Sequence, residues 1–533
     1  MALIKQTTLI AALMVFLGCA IPIHGMQLTP PDPSSSIHGE RVYSYAQELE
    51  ALTLNHQVSL YSYRSAGSAG AQAAAMWIAG TLRELGMRVE VEEFHFLTWE
   101  LVDQPSLTLH GGSQTLQLES FTPFHLSWPT TNEGLRREIA VYGEGDRGQV
   151  EGRVLIVGVD ELILKGELGV MLDHVREWKP AAVIYTSLYP FSWECPYVSY
   201  SCDGKLFWPI KAPSGWISRQ DWVKIMELLK AEGEVEAEVR IPARIGYGAH
   251  YNVLGDVDGV DVDRTFIVSA HYDTVMTPGF IDNAAGVAGV LAMAEAFNQA
   301  RERGFKPPFN IRFAFFTAEE LGLLGSLNYA SKHKGDLSKV VGVVNLDSIG
   351  SLRLMVVKSP SILDELAEEA ATKLKTPLTG GCRMFSYKSS SFQAHQTGAD
   401  HLSFQEPEAA LQLAKTQWPG IQLPIDTRLE VPAITISSRP LFASYIRTGE
   451  EPGWIHTSYD NSTTPGWVDV KRLEQHVKVS TLTVVKAMST AITCGALNPA
   501  QQSRPNPASN QVGQVFFSVE AERTWLHWAP GDV

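Results

Sequence analysis

Two histidines and five carboxylates stand out in this sequence by where they fall. His271 and Asp273 directly follow the apolar run 265–270, and Asp282 precedes an apolar-faced stretch beginning near Asn283. Glu319 and Glu320 follow the run 310–316, Asp347 closes the run 339–346, and His456 lies in a later loop. Several ionised acids gathered in one cleft repel one another and raise each other's pKa unless cations compensate them. Two His and three carboxylates form a suitable donor set for two zinc ions with one carboxylate bridging, and the absence of thiolate leaves other divalent metals open. Two ions roughly 3.5–4 Å apart polarise a carbonyl and lower the pKa of water. That is chemistry for amide hydrolysis. Each residue alone has a plainer reading: a lone His after a strand is commonly structural, Glu-Glu at a helix start suits the macrodipole, and Asp-Asn caps a helix. No such reading explains all seven at once.

Residues this far apart meet only if the runs before them are neighbouring strands. The runs 265–270, 310–316, 339–346 and 431–437 alternate with helical patterns, such as 283–300 with Val287, Val290, Leu291, Ala294 and Phe297 in register. That pattern predicts an α/β fold: a mixed, largely parallel sheet with helices on both faces. The carboxyl ends of such strands share one edge, where ligands bind. Upstream, 71–85 reads as a helix with Ala75, Ile78, Leu82 and Leu85 on one face; Gly86 stops it, and 88–96 alternates like a strand. Between 106 and 245 the texture changes to short strand-like runs (153–159, 181–185) separated by turns, Trp, Tyr and Pro. This predicts an inserted β-rich domain at 106–245, with the catalytic domain formed by 26–105 and 246–497. Residues 498–533, rich in Pro, Gln, Asn and Ser at first, read as a linker and tail.

A chain of 533 residues is too long for one ordinary core, and its 45% apolar residues suffice for more than one. The formal charge of −15 argues against nucleic acid as a partner, since phosphate binding needs a basic face. Lys5 and the apolar run 9–20 read as a secretory signal peptide ending near residue 25, too short for an ordinary membrane span. Val15-Phe16-Leu17-Gly18-Cys19 also resembles a lipoprotein cleavage box, so a lipid anchor at Cys19 stays open beside plain export to the periplasm, cell surface or medium. No later segment is long and apolar enough to cross a bilayer. Four cysteines remain after the leader, an even number that suggests disulfides in an exported chain. Cys195 and Cys202 are close enough to staple a loop, leaving Cys382 with Cys494.

Ser269-Ala270-His271-Tyr272-Asp273-Thr274 resembles the His-x-Asp motif of the co-catalytic zinc aminopeptidase family, which includes leucyl aminopeptidases, aminopeptidase Y, glutamate carboxypeptidases and glutaminyl cyclases. Gly279-Phe280-Ile281-Asp282-Asn283-Ala284-Ala285-Gly286 resembles its bridging-Asp motif, and Thr317-Ala318-Glu319-Glu320-Leu321-Gly322 its Glu-Glu motif. Asn345-Leu346-Asp347-Ser348-Ile349-Gly350 resembles its third motif, with Ser348 where Met is common. His456-Thr457-Ser458-Tyr459-Asp460 resembles its last. Tyr63-Arg64-Ser65-Ala66-Gly67-Ser68 is similar to its N-terminal pattern, Asp400-His401-Leu402-Ser403-Phe404 to a segment on the substrate side, and residues near 135–240 to a protease-associated domain.

The resemblance implies that two zinc ions bind here. It implies that His271 and Glu320 hold one and Asp347 and His456 the other, with Asp282 bridging. It implies that Asp273 orients His271, and that Glu319 is the general base that moves a proton from water to the leaving amine. It implies a peptide substrate, with an aminopeptidase as the first expectation. A metallocarboxypeptidase would need a cationic pocket, for which Arg383, Arg439 and Arg447 are candidates. A glutaminyl cyclase would use one metal, and a transferrin-receptor-like protein none.

Overall fold

The computed structural model describes residues 32–58, 64–112, 114–143, 147–159, 162, 167–186, 212–358, 361–378, 399–418, 420–438 and 454–494. The leader with Cys19, Cys195, Cys202, Cys382, the three arginines considered for a carboxylate pocket and the tail beyond 494 lie outside them. In chain order the strands are β1 (Arg88–Leu101), β2 (Ser106–His110), β3 (Thr115–Leu118), β4 (Thr122–Pro123), β5 (Leu135–Val141), β6 (Val154–Gly158), β7 (Ala182–Thr186), β8 (Ser214–Ile217), β9 (Glu236–Arg240), β10 (Ala243–Val257), β11 (Asp261–His271), β12 (Phe309–Phe316), β13 (Val340–Leu346), β14 (Met355–Lys358) and β15 (Ala433–Ser437).

One sheet has the order β1-β10-β12-β11-β13-β15-β14. Its centre, β12-β11-β13-β15, is parallel; β1, β10 and β14 run antiparallel at the flanks. Alternate residues of the central strands enter two different cores. Phe266, Val268, Ile311, Phe313, Val344 and Ile434 pack with the helices Gly39–Leu54, Ala69–Glu84, Gly286–Glu302 and Val470–Cys494. Ile267, Ala314, Phe316, Val343 and Ala433 pack on the other side with Tyr329 and Ala330 of the helix Leu324–Lys332. Burial on both faces is why these runs are continuously apolar rather than alternating. The mixed sheet with helices on both faces is the expected architecture.

The helix expected from residue 283 begins three residues later, at Gly286, after an irregular turn at Phe280–Ala285. There Asn283 Oδ1 accepts the N–H groups of Gly286 (3.0 Å) and Ser348 (3.1 Å), while its Nδ2 donates to Leu346 O (2.9 Å). A Cβ on Gly286 would lie 2.1 Å from Asn283 Oδ1 and 2.5 Å from Leu346 O, so glycine is required for the turn to close on β13. The only stretch among the described residues long and apolar enough to cross a membrane, Phe280–Glu302, joins this turn to the helix after it and is almost wholly buried in this core.

Strands β2–β9 make the second sheet, ordered β3-β2-β9-β5-β6-β7-β8-β4. The texture of this stretch predicts a β-rich unit, and helices accompany its strands. β5 to β8 are parallel, and the helices Leu168–Trp178 and Arg219–Glu232 lie between strands in the chain. Parallel neighbours need crossover connections, and the helix Leu168–Trp178 provides one between β6 and β7, while Arg219–Glu232 leads from β8 to the antiparallel β9.

Candidate metal centre

β11, β12 and β13 end at one edge because they are parallel, and each delivers a site residue there. His271 is the last residue of β11 and Asp347 the first after β13; Glu319 and Glu320 sit on the turn three and four residues past β12. Asp282 comes from the irregular turn before the helix Gly286–Glu302, and His456 from the loop before the last helix. Ala318, Ser348 and His456 all adopt left-handed φ (56°, 59° and 60°). Such backbone is uncommon for non-glycine residues and clusters at functional sites.

All seven residues expected to act together are brought together. Asp282 is central: its Oδ1 lies 3.2 Å from His271 Nε2 and its Oδ2 3.4 Å from His456 Nε2. His271 Nε2 is 3.8 Å from Asp347 Oδ1, and His456 Nε2 is 3.2 Å from Glu320 Oε1. Two three-residue donor groups result, His271–Asp282–Asp347 and Asp282–Glu320–His456, with the donor atoms of each within 4.8 Å of one another. The pairing of His271 with Glu320 and of Asp347 with His456 is therefore corrected. Asp347 sits at the tip of β13 beside β11, so it faces His271. Glu320 lies four residues beyond its strand, on a turn that carries it over to the His456 loop.

Asp273 faces His271 Nδ1 at 3.6 Å, and its two oxygens accept the backbone N–H groups of Glu319 (3.2 Å) and Glu320 (3.3 Å). It thus stands between the imidazole and the Glu-Glu turn. Burial opposes charge on His271, yet Glu319 together with Asp273, Asp282 and Asp347 holds its imidazole well above its ordinary range. Burial also raises the Glu319 carboxyl well above its ordinary value; His271 opposes this, while Glu320, Asp347 and Asp400 add to it. So many acids in a largely buried pocket demand positive charge. His271 Nδ1 and Nε2 and Glu320 Oε1 are buried without hydrogen-bond partners in the protein. Unpaired buried polar atoms of this kind are costly unless they have another ligand. Imidazole nitrogens and carboxylate oxygens in two compact groups fit divalent cations of the zinc type.

Two supporting residues had no expected role. Arg64, fully buried, donates to Tyr272 O (2.5 Å), Pro278 O (2.9 Å) and Gly279 O (3.0 Å), clamping both ends of the loop between Asp273 and Asp282. Asp460 accepts the backbone N–H of Ile281 (2.8 Å) and of Asp282 (3.0 Å), and the indole N–H of Trp467 (2.8 Å). Burial pushes its carboxyl up to about 7 against the pull of those bonds. The sequence signal for it was its position four residues after His456, in the same motif. Asp460→Ala leaves three buried donors unpaired, at about 1–3 kcal/mol each, and frees the backbone of Asp282. The expected result is a lower Tm together with loss of bound zinc. Unfolding and metal analysis on one preparation check it, and full zinc content at normal Tm would refute the assigned role.

Residues 252–480 match the family described as "Peptidase family M28". Leucine aminopeptidase 2 of Trichophyton equinum is 33% identical over 141 residues, 26% of this chain and 27% of that protein. Leupeptin-inactivating enzyme 1 of Streptomyces exfoliatus is 37% identical over 103 residues, 19% of this chain and 23% of that protein. The matched stretch thus spans about a quarter of the length of these curated relatives. A solved zinc aminopeptidase from Bacillus subtilis shares the fold, with a TM-score of 0.58 at 22% identity over 85% of this chain and 95% of that one.

Proposed function

Residues 252–480 belong to peptidase family M28, and from that premise we propose that this chain is a zinc-dependent aminopeptidase that removes N-terminal residues from peptides. The observation that carries the reading is the position of Asp282, with one oxygen toward His271 and the other toward His456. A carboxylate shared between two three-residue donor groups would suit two zinc ions.

In this reading His271 and Asp347 would hold one ion and Glu320 and His456 the other, with Asp282 available to both. When bound, the ions supply Lewis acidity, polarising a carbonyl and acidifying water. The chain does the rest. Asp273 fixes the His271 ring and the Glu-Glu turn. Glu319, outside both donor groups, takes the proton of the attacking water and passes it to the leaving amine. Its burial, which favours the protonated carboxyl, suits it to hold that proton between the two transfers. We assign residues 1–25 to an export leader and 106–245 to a protease-associated insertion, and place the enzyme outside the cytoplasm.

The substrate end is testable directly. A free α-amine is cationic, and the acids of this site are the partners that would recognise it. Acetylating the N-terminus of a good peptide substrate is expected to abolish cleavage, whereas amidating its C-terminus changes little. Mass spectrometry of four peptides reads the outcome. A carboxypeptidase gives the opposite pair of results, a cyclase gives water loss from an N-terminal Gln without shortening, and cleavage of the acetylated peptide rejects an aminopeptidase.

A further inference from the structure

The two donor groups are not equivalent, and the difference lies in one hydroxyl. Ser348, next to Asp347, donates its Oγ–H to Asp347 Oδ1 at 2.9 Å. That is the oxygen lying 3.8 Å from His271 Nε2. In the other group Glu320 Oε1, 3.2 Å from His456 Nε2, has no hydrogen-bond partner. One carboxylate is held at the oxygen that faces its histidine; its counterpart is not.

Ser348 is itself fixed. It is fully buried, with φ at +59°. Its N–H donates to Asn283 Oδ1 (3.1 Å), and its carbonyl accepts from Ser438 Oγ (2.8 Å) and Ser438 N (2.9 Å). Asn283 is the neighbour of the bridging Asp282, so the hydroxyl is anchored to the same frame as the bridge. A left-handed φ favours glycine, and a serine there carries a backbone cost. Its hydroxyl spends that cost on a ligand carboxylate.

We propose that Ser348 is a positioning residue that orients Asp347 and thereby sets the zinc affinity of the His271–Asp347 position selectively, leaving the Glu320–His456 position unaffected. The inference rests on the two-zinc reading above. Groups that hydrogen-bond a metal ligand are typically worth about 10–100-fold in metal affinity. The bond fixes the Asp347 rotamer before the ion arrives, so less side-chain freedom is lost on binding.

The test is zinc binding by full-length protein, titrated against a chromophoric chelator, for wild type, Ser348→Ala and Ser348→Gly. Alanine keeps the Cβ that serine already carries at this left-handed φ and glycine relieves it, so both variants delete the hydroxyl without adding backbone strain; circular dichroism of each apo-protein checks this. The expected result is two zinc equivalents in wild type. In both variants one equivalent is bound about tenfold or more weakly, and the other stays within twofold of wild type. Unchanged affinity for both equivalents, or equal loss of both, overturns the role given to Ser348. A wild-type protein that binds one equivalent or none overturns the two-zinc reading instead, and the inference with it.

Discussion

Glu319→Ala is expected to lower peptide hydrolysis by about 10²–10⁴-fold, the usual range for removing a general acid–base group, while zinc content and folding stay intact. Geometry separates the two effects. The Glu319 carboxylate belongs to neither donor group, and the link that holds its turn runs from its backbone N–H to Asp273 Oδ1 at 3.2 Å, which alanine retains. Deleting a partly buried acid from a site crowded with Glu320, Asp347 and Asp400 also relieves repulsion rather than adding to it. Hydrolysis and zinc should be measured on one sample. Loss of a zinc equivalent would make Glu319 a ligand, and near-normal turnover would remove it from the proton path.

The site was legible in the sequence because its residues follow runs that can only be buried strands. Phe266, Ile267 and Val268 are all fully buried, as strands covered on both faces must be, and His271 closes that run. The pairing of ligands was not legible, because it depends on strand order. β13 lies beside β11 with Ser269 opposite Asn345, which puts Asp347 next to His271, and no sequence period encodes that neighbour. Arg64 and Asp460 were visible in motifs, but their roles lie in backbone groups of Tyr272, Pro278, Gly279, Ile281 and Asp282, which sequence patterns do not record. In the second sheet, the helices Leu168–Trp178 and Arg219–Glu232 were hidden among turn residues and aromatics that read as β texture.

Chelation is expected to abolish hydrolysis and to lower Tm, and added zinc to restore both. An ion bound only by the folded chain stabilises it by RT ln(1 + [L]/Kd), about 2.7 kcal/mol when free ion exceeds Kd a hundredfold. Two such ions contribute about 5 kcal/mol, which for a catalytic unit of this size corresponds to a shift on the order of 5–10 °C. The stripped site is worse than neutral. Asp282 stays within 3.4 Å of both imidazoles, and Asp273, Glu319, Glu320 and Asp347 crowd the same pocket, so the charge the ions supplied falls largely to protonation of His271 and His456. Burial opposes charging either ring, and the surrounding acids outweigh it, holding both imidazoles well above their ordinary range. The frame should nevertheless persist, because Arg64 and Asp460 hold the Asp282 loop through hydrogen bonds that do not involve the ions, which is why re-addition of zinc should restore activity without refolding. Thermal unfolding and hydrolysis before chelation, after it and after zinc return measure the cycle, and hydrolysis that survives complete removal of metal while yielding to a serine or cysteine reagent would overturn the mechanism.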